Sequence, residues 1–92
     1  MNKTQKRKEV VKRFLTFVEN EFPNYYLDDD GFGGRILIIP EKFEGNFSDN
    51  AIEFQRSRFD LFVLDYACEQ VKQDCDVMEK KLDEIIKELE LN

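Results

Sequence analysis

Apolar residues near the start of the chain recur every three to four positions, as Val10, Val11, Phe14, Leu15, Phe17, Val18 and Phe22. That spacing lines them along one side of an amphipathic helix over residues 4 to 22. Pro23 ends it, because proline restricts the residue before it and supplies no N–H. Two short runs of aromatic and aliphatic residues follow, at positions 25 to 27 and 35 to 39, separated by Asp28-Asp29-Asp30-Gly31-Phe32-Gly33-Gly34. The Asp-Gly step between two such runs is a hairpin signal. Pro40 closes the second run, and a polar loop carrying Phe43 and Phe47 leads to residues 51 to 56, where Ile52 and Phe54 share one face. This segment reads as a third short strand or as an extension of the last helix.

Ser57-Arg58-Phe59-Asp60 has the capping-box pattern and stands directly before Leu61-Phe62-Val63-Leu64, so it predicts the start of a helix running to about residue 91. The apolar seam of that helix is Leu61, Leu64, Cys68, Val71, Cys75, Met78, Leu82, Ile85 and Leu89, with the alternating steps of three and four that mark a coiled-coil repeat. A helix of this extent is about 50 Å long against under 30 Å for the first one. Its far end therefore lacks a cover within the chain. The expected fold is α+β: an N-terminal helix, a small antiparallel sheet of two to three strands, and a long C-terminal coiled-coil-like helix. Residues 1 to 92 make one small domain, with the C-terminal part of the last helix projecting.

Composition narrows the functional classes. With 92 residues, 41% hydrophobic content and nine Phe, the chain has material for one modest core. No apolar run approaches the roughly 18 residues of a membrane span, and Lys12 and Arg13 interrupt the only stretch resembling a leader. A cytoplasmic setting is expected, and two reduced thiols fit it. Cys68 and Cys75, seven residues apart in a helical segment, would be about 10 Å apart, too far for a disulfide. Histidine is absent, which removes the commonest general base and zinc ligand. No catalytic, cofactor-binding or metal-binding residue is assigned, and no small-molecule substrate is expected.

Asp28-Asp29-Asp30-Gly31 fails as a calcium loop, because an EF-hand with this glycine at its sixth position needs an acid at Tyr26 and a Glu at Leu37. The glycine-dense Gly31-Phe32-Gly33-Gly34 lacks the Lys-Ser/Thr and following helix of a phosphate loop. It reads as a turn.

Charge is distributed unevenly. Lys3, Lys6, Arg7, Lys8, Lys12 and Arg13 against Glu9 give the first thirteen residues +5, so the net charge of -6 leaves -11 on the rest. Basic side chains in the first turns of a helix oppose its dipole, so that end should fray unless an anion holds it. The cluster, with Arg56 and Arg58 as neighbours, could neutralise nucleic-acid phosphates. The leading expectation is a non-enzymatic acidic interaction module, homodimeric through Cys75, Met78, Leu82, Ile85 and Leu89, with antiparallel pairing preferred. Its acidic surface of Asp74, Asp76, Glu79, Asp83, Glu84, Glu88 and Glu90 would bind and inhibit a basic, nucleic-acid-binding protein. An inhibitor encoded by a phage or mobile element fits that description. The alternative is a nucleic-acid-associated protein that grips phosphates with the basic N-terminal arm.

Overall fold

The computed structural model describes residues 1–29, 34–41 and 50–91. Its elements, in order, are α1 (Lys3–Glu21), β1 (Tyr25–Asp29), β2 (Arg35–Pro40), β3 (Ile52–Gln55), β4 (Asp60–Val63) and α2 (Glu69–Glu88). The expected α+β class holds, with four strands in place of two to three. They form one antiparallel sheet in the order β1-β2-β3-β4. The turn signal at Asp30 to Gly33, the aromatic Phe32 and the loop residues Phe43 and Phe47 lie outside the described residues.

Register sorts the strand side chains onto two faces. Leu27 pairs with Ile38, Ile38 with Ile52 and Ile52 with Val63, while Ile36 pairs with Phe54 and Phe54 with Leu61. These residues face the helices, and Ile38, Ile52 and Phe54 are completely buried. Val10, Phe14 and Val18 of α1 close over them, with the Phe14 and Phe54 rings 4.7 Å apart and tilted. Of the adjacent Val10 and Val11, Val10 is fully buried and Val11 packs at the edge of the core. The opposite sheet face carries Tyr26, Leu37, Glu53 and Phe62.

The expected helix start is corrected. Ser57 to Phe59 form the turn between β3 and β4, and Asp60 to Val63 pair with β3 instead of opening a helix. Leu61 and Val63 turn toward the core and Phe62 outward, the alternation of a strand. The left-handed φ of 56° at Phe59 is incompatible with a capping box there. The last helix instead begins after Cys68, whose backbone N–H donates to Asn50 Oδ1 at 2.9 Å.

Losing its expected first residues to β4 and the following turn shortens α2 to 20 residues, against 19 for α1. Both are then about 30 Å long, and the expected overhang disappears. Val71, Cys75, Met78, Leu82, Ile85 and Leu89 join the chain's own core, with Met78, Leu82 and Ile85 at 2% exposure or less. The seam read as an uncovered dimer interface is thus filled from within the chain. The helices run antiparallel: Arg13 approaches Glu88 at 3.7 Å, and Lys81 lies over the Phe17 ring at 5.6 Å.

That arrangement settles the dipole conflict at the start of α1. A capping box holds the helix end, with Gln5 N–H donating to Asn2 Oδ1 at 2.8 Å and Asn2 N–H to Gln5 Oε1 at 2.9 Å. Beside it lies the end of α2, where Glu90 and Leu91 line one depression together with Met1, Lys3, Lys6 and Arg7. The partial negative charge of one helix end and the Glu90 carboxylate oppose the positive start of the other.

Candidate functional site

An antiparallel meander places its turns alternately at the two ends of the sheet. The β1–β2 connection and the β3–β4 turn share one end, and the N-terminal half of α1 reaches the same end. There Arg7, Lys8 and Val11 face Gly34, Arg56 and Ser57 across a groove of about 470 Å3. The expected neighbourhood of the basic arm and Arg56 is therefore realised in space. Arg58 is largely exposed and pairs with Asp60 at 3.6 Å.

Each arginine of the groove is oriented by a main-chain carbonyl. The Arg7 guanidinium donates to the Ser57 carbonyl and lies over the Phe59 ring, 4.4 Å from its centroid. The left-handed backbone of Phe59, costly for a bulky residue, brings that ring under Arg7. Arg56 Nε donates to the Gly34 carbonyl at 3.2 Å, and its Nη1 meets Asp29 at 3.3 Å. Gly34 sits at φ +76°, a conformation that disfavours a side chain, and its carbonyl also accepts the Arg56 backbone N–H at 3.1 Å. A carbonyl fixes a guanidinium plane without neutralising it, so Arg7 keeps its full charge.

The other sequence-identified cations divide into two groups. Arg13 bonds Glu9 at 2.8 Å and leans toward Glu88, so it belongs to the helix pair. Lys3, Lys6, Lys8 and Lys12 form no ion pair with the described residues, but Lys3 and Lys6 share their depression with Glu90. Lys12 is exposed on the outer side of α1.

The acidic residues divide in the same way. Asp74 is structural, accepting from the Tyr25 hydroxyl at 2.5 Å and from Gln70 Nε2 at 2.9 Å. Glu84 pairs with Lys81 and Glu88 with Arg13. Asp76, Glu79 and Asp83, spaced by three and four residues, are exposed on α2 and form no ion pair with the described residues. They lie about one helical turn apart on a face that also carries the exposed Lys72, Lys80 and Lys87. Near the start of α2, Tyr66 is 76% exposed, and Phe62 on edge strand β4 is 43% exposed. Their run also satisfies a helical period, so the sequence predicts both on the buried side of a helix; the strand and the turn after it place them outside instead.

Both cysteines are free thiols. Burial pushes the Cys75 thiol up to about 11, with the Glu79 and Asp76 carboxylates adding to the effect. A thiol held protonated in this way is a poor nucleophile at neutral pH. Among the described residues no group of three or more Cys, Asp or Glu is placed to hold a metal ion, and no helix is long and apolar enough to cross a membrane. Comparison with protein-family models, with curated proteins and with solved structures returned no match.

Proposed function

We propose that the chain is a non-enzymatic interaction module whose acidic α2 face binds and regulates a basic protein partner, of the kind that itself binds nucleic acid. The observation that carries this reading is the exposed carboxylate set of Asp76, Glu79 and Asp83 on a helix whose apolar side is already consumed by the chain's own core. Repeated negative charge on a rigid helix attracts a basic surface over several ångströms and sets orientation more than affinity. Exposed Tyr66 supplies the kind of aromatic anchor that contributes affinity in such contacts. The partner is met by the outward face of α2, and no second copy of the chain is needed to cover the seam.

The test is affinity capture from nuclease-treated lysate with the native chain and with an Asp76→Lys, Glu79→Lys, Asp83→Lys variant. A basic protein held by the native chain, lost with the variant and displaced by added DNA, supports the reading. Equal capture by both proteins, or capture only while nucleic acid is intact, overturns it.

A further inference from the structure

A second feature stands apart from the acidic face and does not depend on it. We infer that the groove between α1 and the β3–β4 turn binds the phosphate of a nucleotide, carried either by a free nucleotide or by a single nucleic-acid strand.

Two arginines 49 residues apart in sequence, Arg7 and Arg56, reach the groove from different elements. Their anchors are the carbonyls of Ser57 and Gly34, which hold the planar forks in place and leave further N–H donors unused. An oriented guanidinium is the group that matches phosphate oxygens two at a time, and prior anchoring lowers the ordering cost of binding. Asp29 offsets one positive charge at Arg56. With Lys8 unpaired among the described residues, the groove retains an excess of two positive charges, the complement of a phosphate monoester.

The acidic body meets this charge only at its margin, where Glu90 lines a neighbouring depression with Arg7, Lys3 and Lys6. Glu19 and Glu21 lie at the opposite end of α1, about 18 to 21 Å from Arg7 along the helix. At physiological ionic strength the screening length is about 8 Å, so the local cations dominate. The floor contributes something else: Val11 and the stems of Arg7, Lys8 and Arg56 present an apolar surface. A bare inorganic anion gains nothing from such a surface, whereas a nucleobase attached to the phosphate packs on it. The volume of about 470 Å3 is in the range of small-ligand clefts.

The experiment is a titration of the isotope-labelled protein, following backbone amide resonances, with three probes: inorganic phosphate, a nucleoside monophosphate and a short single-stranded oligonucleotide. Shifts centred on Lys8, Gly34, Arg56 and Ser57 are expected, with the nucleoside monophosphate binding more tightly than inorganic phosphate. Lys8→Gln and Arg56→Gln should each weaken binding about tenfold while the melting profile shows the fold retained. Lys8→Gln keeps the Arg7–Phe59 stack, so it separates binding from folding. Oligonucleotide binding whose logarithm falls with log salt by more than about 0.7, the slope for one strand phosphate, assigns the ligand to a strand. A shallow slope with tight mononucleotide binding assigns it to a free nucleotide, and either supports the site. No groove shifts with any probe at millimolar concentration, or unchanged binding by both variants, overturns it. Because the substitutions leave Asp76, Glu79 and Asp83 in place, failure here does not touch the acidic-face reading.

Discussion

The Tyr25 hydroxyl donates a 2.5 Å hydrogen bond to Asp74 Oδ2, tying the first residue of β1 to the second turn of α2 across 49 positions of sequence. Tyr25 is 7% exposed, and its burial together with the adjoining carboxylate holds the phenol protonated well above its ordinary range. Tyr25→Phe removes the bond without leaving Asp74 stranded, since Gln70 still donates to it. The expected cost is about 1.5 kcal/mol, read from the denaturant midpoint with the slope unchanged.

Cys75 makes stability depend on alkaline pH. Its thiol is raised from 9.0 to about 11 in the folded chain. Below about pH 9 both states keep the proton, and this group adds no pH dependence. Between the two values the unfolded chain releases the proton while the folded chain retains it, so stability falls as pH rises, by up to about 1.4 kcal/mol per unit. Chemical denaturation at a series of pH values should show a smaller loss over this window for Cys75→Ala than for the native chain. Equal losses would place the effect elsewhere.

Leu82 distinguishes a core residue from an interface residue. It is 1% exposed within the single chain. Leu82→Asp would bury an unpaired carboxylate where an aliphatic side chain packs, and should cost about 4 kcal/mol or more. Circular dichroism should report loss of fold, and light scattering of the native protein should give the mass of one chain. A dimeric native protein converted by Leu82→Asp into a well-folded monomer would restore the helix-pair interface.

Glu90 occupies a position that normally favours glycine. Leu91 N–H donates to Ile86 C=O at 3.0 Å and Glu90 N–H to Lys87 C=O at 3.0 Å, while Glu90 itself has φ 57°. These bonds form a Schellman motif with a non-glycine residue in its left-handed position. Glu90→Gly should raise stability by about 1 kcal/mol, visible as a higher melting temperature. It also removes a carboxylate beside Lys3 and Lys6, which partly offsets the gain.

Much of this architecture was readable because separate periodicities coincide with separate elements. The three-to-four spacing from Val10 to Val18 became α1, and Ile52 with Phe54 became the buried side of β3. The run Leu61-Phe62-Val63-Leu64 was different, since four consecutive apolar residues fit either period. Its spacing to Cys68 and Val71 happened to continue the seam of the true helix. Reading it as helix lengthened α2 and created the apparent overhang, so a single local ambiguity produced the dimer expectation. The basic arm and Arg56 were legible as neighbours, yet the geometry of their meeting was not. It depends on which turns the meander brings together, and on the carbonyls of Gly34 and Ser57, which no composition reveals.

Each strand pairs only with the one next to it in the chain, whereas α1 and α2 come from opposite ends and meet across the finished sheet. The order of assembly follows. Neighbouring strands need only short loops to close, while the helix pair must close a segment of more than forty residues, so it forms late. Thinning the sheet with Ile38→Val should therefore slow folding. Leu82→Ala should chiefly hasten unfolding, giving a molecule that opens first by parting its helices.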